Sequence, residues 1–212
     1  THEGEGPAAA RTALGLAPHL PLVLLMGGAE GMGPIKQSAR AIASALAGAA
    51  GPNGQLAIIC GRNALLQQTL SCANWPVPVS ILGFVRNIGT WMRAADLVVT
   101  KAGPSTIAEA LLIGRPLLLN GYLPGQEEGN IPYVVENGAG IYEPRPEAIA
   151  ARLRQWFTPG DRTLADMAAH AARLGHPHAA TTIIQSQVRP FWYNQDAAGE
   201  RSPYPFSQVK RF

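Results

Sequence analysis

The chain has 212 residues, 47% of them apolar, with 17 Lys and Arg against 14 Asp and Glu and a formal net charge of +3. That is enough chain to bury a sizeable core, while no apolar run reaches the roughly 20 residues that a membrane-spanning helix needs. The cations are mostly arginine, scattered and not interleaved with aromatics, which argues against nucleic acid as a partner and is compatible with phosphate or anionic headgroups.

In chain order, residues 1–19 are small and polar and read as a linker or extension. Leu22–Met26 reads as a first buried parallel strand, followed at once by the loop GGAEGMGP. From Ile35 the apolar residues Ala39, Ile42, Ala43 and Leu46 recur at helical spacing, and GAAGPNG ends that helix. Gln55–Cys60 is a second strand with GRN as its turn, leading into a short helix through Leu65, Leu66 and Leu70. Val77–Leu82 reads as a third strand, Ile88–Ala94 as a short helix, Leu97–Thr100 as a fourth strand and Leu117–Leu119 as a fifth. After Tyr142 only helices are expected: 146–157, 161–174 and a segment near 179–185. Residues 188–212 are rich in proline and aromatics without periodicity and read as an extended tail laid on another surface, or as disorder.

Strands and helices alternating at this interval predict an α/β, Rossmann-like parallel sheet with helices on both faces over residues 20–187, with ligands at the carboxyl ends of the strands. GGAEGMG, CGRN, GFV, KAGPST and GYLPGQEEGN each follow a strand. The first of these is neither GxGxxG nor a loop ending in GK[ST], so a nicotinamide site is disfavoured and a Walker-type site excluded.

The stretch KAGPSTIAEALL is the most informative. A strand, a Gly-Pro turn and an amphipathic helix follow one another, so the amides from Gly103 to Thr106 are expected to face a ligand above the strand end as an anion site. Pro104 suits the first helical position and Gly103 allows close approach. Glu109 is expected to lie buried among Ile107, Ala108, Ala110 and Leu111, where a carboxylate beside a phosphate site would accept hydrogen bonds from ribose hydroxyls; the plainer alternative is a glutamate on the helix surface. Lys101 reads as either a phosphate contact or a plain solvated lysine at the strand end, the latter being favoured. Gln126, Glu127, Glu128 and Asn130 sit in a glycine-bounded loop that is either a solvated turn or a grip for sugar hydroxyls. His170, His176 and His178 have no recognised ligand spacing, so a metal site is disfavoured. Ser38 and Ser105 lack the context of a hydrolase nucleophile. Cys60 and Cys72 show neither zinc nor disulfide spacing, and a reduced compartment is the default.

The run from GFVRNIGTWMRAADLVVTKAGPSTIAEALLIGRPLLLNGYLPGQEEGN to IPYVVENGAGIY resembles the donor-binding lobe of the glycosyltransferase family that includes the bacterial peptidoglycan N-acetylglucosaminyltransferase. LPLVLLMGGAEGMGPI, IICGRN and GYLPGQEEGNIPYVVENGAG are more similar still to the plant and algal monogalactosyldiacylglycerol synthases. The resemblance covers about residues 20–157 and extends through the helices to 187.

It implies the C-terminal half of a GT-B fold, holding UDP-galactose as donor substrate with no further cofactor and no metal. By the family's pattern the backbone at Phe84 and Val85 would meet the uracil edge and Glu109 the ribose. Gly103, Pro104, Ser105 and Thr106, together with Gly27 and Gly28, would cradle the diphosphate. Gln126 and Glu127 would hold the hexose, with Asn130 supporting their loop.

The resemblance further implies an inverting transfer of galactose to diacylglycerol at the plastid envelope, by a peripheral membrane protein. The acceptor site, the membrane contact and the general base are expected in an N-terminal lobe outside these residues. The chain opens at Thr1 without methionine, as a portion of something longer would, and alone it is not expected to turn over. The alternative reading is a non-catalytic subunit of a larger organellar membrane complex, bound to other subunits through residues 188–212, a tail unlike the family.

Overall fold

The structure, a computed structural model, describes residues 6–49 and 51–179. In chain order the elements are α1 (Pro7–Ala13), β1 (Leu22–Met26), α2 (Ile35–Leu46), the two-residue strands β2 (Ala47–Gly48) and β3 (Gly51–Pro52), β4 (Gln55–Ile59), α3 (Ala64–Ser71), β5 (Val79–Leu82), α4 (Ile88–Ala94) and β6 (Leu97–Lys101). There follow α5 (Pro104–Leu112), β7 (Leu117–Gly121), α6 (Asn130–Glu136), β8 (Gly140–Tyr142), α7 (Pro146–Trp156) and α8 (Thr163–Leu174).

Six strands form one parallel sheet in the order β5-β4-β1-β6-β7-β8. β1, β4, β6 and most of β7 are buried because both faces are covered, which is why they read as continuous apolar runs. Alternate side chains serve opposite cores. Leu22, Leu24 and Met26 pack with Trp91, Met92, Ile107, Leu111 and Val134. Val23 and Leu25 pack with Ile35, Ile42, Leu46, Ile149, Leu153 and Trp156. This is the expected Rossmann-like layering. The chain leaves β1 toward β4 and β5, then crosses back to place β6 on the other side of β1. The carboxyl ends of β1 and β6 therefore flank the crevice where sheets of this kind take ligands.

The structure departs from the sequence reading at several elements. The segment read as an extension contains α1, packed against α4. Arg11 in it is buried, donating from Nε to the carbonyl of Ala94 (2.9 Å) and pairing with Asp96 (2.5 Å), whose Oδ2 also accepts from the amide of Leu22 at 2.6 Å. β5 starts at Val79, not Val77, because Pro76 and Pro78 deny that stretch two ladder donors. β8 and α6 were not anticipated. β8 is a three-residue edge strand, too short to show a period, and it closes on β7 because Gly140 lets the chains approach, a side chain there colliding with Leu117. The segment expected near 179–185, apart from Ala179, and the tail expected over 188–212 lie outside the described residues.

Candidate donor site at the carboxyl ends of the strands

Two glycine loops interlock beside the crevice. Gly28, Gly31 and Gly61 all take positive φ (72°, 59° and 58°), a conformation that favours glycine. A side chain on Gly31 would strike the carbonyl of Cys60, and one on Gly61 that of Ala29. The loops are further tied by the amide of Arg62 to the carbonyl of Ala29 (2.8 Å) and by an exposed Arg62–Glu30 pair at 2.6 Å. Asn63 caps α3 through its side-chain oxygen, which accepts from the amide of Leu66 at 2.9 Å. The guanidinium of Arg62 lies 4.8 Å over the ring of Phe84, which is 54% exposed although it is a large apolar residue.

Below these loops is a cavity of about 260 Å³ with mainly apolar walls. It is lined by Met26, Gly28, Ala29, Ile59, Gly61, Phe84, Val85, Ile88, Ser105, Thr106 and Glu109. Six of the residues singled out from sequence therefore meet on one cavity: Gly28, Phe84, Val85, Ser105, Thr106 and Glu109. Gly27 sits beneath, its carbonyl accepting from the amide of Met32 at 2.9 Å, and it shapes the loop.

Helix α5 starts at this cavity with no side-chain cap. Its amides are fewer than the sequence suggested. The Gly103 amide donates to the carbonyl of Lys101 (2.8 Å), Pro104 has none, and Ile107 donates to the carbonyl of Gly103 at 3.0 Å. The amides of Ser105 and Thr106 are left without a hydrogen-bond acceptor among the described residues, at the positive end of a nine-residue helix. Glu109 also corrects the expectation: it is exposed, not buried. Ile107, Ala110 and Leu111 form the core face, and position 109 falls off that face at the helical repeat of 3.6 residues. The residue lines the cavity instead, one turn along α5 from the uncapped amides.

The loop after β7 is divided. Gln126 is exposed, and Glu127 is buried at 7% exposure. Lys101 corrects the sequence reading, since its side chain, expected in solvent, is ion-paired with Glu127. The other oxygen of Glu127 accepts from the amide of Leu123 at 2.9 Å. Asn130 donates from Nδ2 to the carbonyl of Ala102 (2.9 Å), tying this loop to the end of β6. The ladder places Lys101 opposite Gly121 after Thr100 opposite Leu119, so Asn120 is an extra residue in β7. Such a bulge re-aims the side chains beyond it. Asn120 is buried and donates to Oγ of Ser38 at 3.2 Å.

Sequence reasoning passed over Arg62, Ala29, Gly61 and Ile88. The signal was available for the first and third, since CGRN follows a strand and its glycine precedes a cation. Beyond β8, the Arg145 guanidinium, bonded to the carboxylate of Glu143 at 2.8 and 2.9 Å, holds that carboxyl below the usual range. Burial pushes the Cys60 thiol up, away from the reactive thiolate.

Comparison with known proteins bears on this site. The model of the glycosyltransferase family 28 C-terminal domain matches residues 22–189. A spinach (Spinacia oleracea) relative named "Monogalactosyldiacylglycerol synthase, chloroplastic" is 49% identical over 82% of this chain and 34% of its own length. A rice (Oryza sativa subsp. japonica) relative named "Probable monogalactosyldiacylglycerol synthase 2, chloroplastic" is 44% identical over 92% of this chain and 41% of its own. The chain thus spans 34% to 41% of the length of these two relatives. Among solved structures, MurG of Acinetobacter baumannii superposes with a TM-score of 0.63 at 19% identity, over 86% of this chain and 53% of that one, a likeness of fold.

Proposed function

The chain belongs to the glycosyltransferase family 28 C-terminal domain family, and from that premise we propose that it is the donor-binding half of an inverting galactosyltransferase. The reaction is transfer of galactose from UDP-galactose to the hydroxyl of diacylglycerol. The observation that carries the donor site is the pair of amides without an acceptor at Ser105 and Thr106, residues that line the same cavity as Glu109, Phe84 and Val85. A nucleoside diphosphate matches that array part by part. The base lies against Phe84 and Val85, the ribose hydroxyls donate to the Glu109 carboxylate, and the phosphates take the amides and the helix dipole. Gly28, with its positive φ, brings backbone up to the same phosphates.

In the transfer, an oxygen of the acceptor attacks the anomeric carbon from the face opposite the diphosphate, which leaves with the bonding pair as the configuration inverts. The helix N-terminus stabilises the charge that grows on the departing oxygen. No metal is needed for that role, so UDP affinity is expected to be unchanged by a chelator. The base that removes the acceptor proton is proposed to lie in the part of the relatives that this chain does not span. The acceptor's membrane contact is proposed to lie there too. Both relatives named above carry "chloroplastic" in their names, which supports a plastid location. Peripheral attachment to the envelope is the finer proposal.

The test is calorimetric titration of this chain with UDP and with uridine. Micromolar binding of UDP, much tighter than uridine and indifferent to EDTA, supports the reading. No heat at millimolar UDP would overturn it.

A further inference from the structure

The ion pair of Lys101 with Glu127 joins the two subsites that the donor would occupy. Its lysine side chain is 20% exposed and its glutamate 9%. The lysine lies between two glycines of the cradle: Cε is 3.3 Å from the point a Cβ would take on Gly28, and Nζ is 3.1 Å from the corresponding point on Gly103. A side chain at either glycine would press on it. The bulge in β7 sets this placement, for it is at Lys101 that the register shifts. An ammonium has three donors, and among the described residues Lys101 Nζ meets one acceptor, Oε1 of Glu127. Glu127 is anchored separately by the Leu123 amide at Oε2, so it can lose the lysine without losing its place.

Resting on the donor-site reading, we infer that Lys101 is a diphosphate contact that exchanges partners when the donor binds. The ammonium passes from Oε1 of Glu127 to a phosphate oxygen, and the released Oε1 accepts a hydrogen bond from a hydroxyl of the transferred sugar. A diphosphate carries more charge than one carboxylate, so the exchange favours the ligand electrostatically. The cost is a nearly buried carboxylate deprived of its cation, and that cost is offset only when a sugar hydroxyl arrives. UDP without the hexose therefore makes an incomplete exchange, and the pair couples diphosphate recognition to recognition of the sugar.

The exchange is tested with affinities of this chain, and of its Lys101→Met, Lys101→Arg and Glu127→Gln variants, for uridine, UDP and UDP-galactose, each variant first shown to melt cooperatively. Lys101→Met is expected to weaken UDP about tenfold or more, to leave uridine nearly unchanged, and to be largely rescued by Lys101→Arg. Glu127→Gln removes the competing carboxylate. It is expected to hold or improve UDP affinity while losing the advantage of UDP-galactose over UDP. Should Lys101→Met weaken uridine and UDP in equal proportion, or leave both unchanged, the pair is only a loop fastening and the inference falls. If Lys101→Met does not fold, Glu127→Gln decides alone, with weaker UDP binding overturning the exchange. Absence of UDP binding by the unsubstituted chain would instead bring down the donor-site reading on which it rests.

Discussion

The two ends of the parallel sheet carry similar kinds of polar residue and use them in opposite ways. At the amino ends, most donors and acceptors are spent on one another. Arg11 binds Asp96 and the carbonyl of Ala94, Asp96 also holds the amide of Leu22, and Gln55 donates to the carbonyls of Ala17 (2.7 Å) and Leu20 (2.9 Å). At the carboxyl ends, Ser105 and Thr106 with their unaccepted amides, the exposed Phe84 and the carboxylate residue Glu109 line one cavity. Size does not distinguish the ends. A cavity of about 410 Å³ bordered by Asp96, Asp161, Arg115 and Trp156 lies at the amino end and is the larger. There Asp96 is committed to Arg11, and Asp161 accepts from the amide of Thr163 at 2.8 Å. Arg115 Nε is the exception, buried there without a hydrogen-bond partner among the described residues. The ends differ in that the carboxyl end gathers two open backbone donors and a carboxylate residue around one cavity.

That comparison sharpens with substitutions that should move one end and spare the other. The largest effect is expected from Asp96→Ala, which strips a nearly buried Arg11 of its carboxylate and the Leu22 amide of its acceptor. A loss of about 2–3 kcal/mol in denaturant unfolding is expected, with UDP affinity retained by the folded fraction. A loss of UDP affinity with unchanged stability would reverse the assignment of the two ends.

Next is the pair beyond β8. Arg145 depresses the Glu143 carboxyl below its ordinary value of 4.5 in the folded chain. The stabilisation is therefore fully present above about pH 4.5 and is lost as pH falls through the lower, folded value. In thermal melts the gap between the chain and its Glu143→Gln variant is expected to be constant from neutral pH down to that point and to close below it. A gap that widened on acidification would contradict the sign.

The smallest effect is expected from Arg62→Ala. Its pairing with Glu30 is exposed and worth little, and the cation over the Phe84 ring contributes about 0.5–1 kcal/mol. Uridine binding should weaken about two- to fivefold and the melting temperature fall by only about 1–4 °C. A large fall in stability would show that the two glycine loops are fastened chiefly by side chains and not by backbone.

How much of this was legible in the sequence follows from range. The buried strands and the amphipathic α2 announce themselves because their signals repeat within a few residues. So does the Gly-Pro start of α5. What escaped depended on partners far along the chain. Residues 1–19 look like a polar extension because the arginine in them finds its carboxylate at Asp96, and nothing local reveals that pairing. β8 is legible only against β7. Lys101 looked solvated because its acceptor is 26 residues away on another loop. Glu109 was misplaced for a different reason. Apolar neighbours in sequence were taken for neighbours in space, whereas on a helix they turn to another face. The structure takes the residue out of the core and places it on the cavity.

The most direct measurement follows the backbone amides of Ser105 and Thr106 by nitrogen–proton NMR while UDP, and separately uridine, is added to the labelled chain. Both amide protons are expected to shift markedly downfield with UDP and hardly at all with uridine, as donors newly bonded to phosphate oxygens do. If UDP binds and those two amides stay where they were, the diphosphate sits elsewhere and the reading of this end of the sheet is wrong.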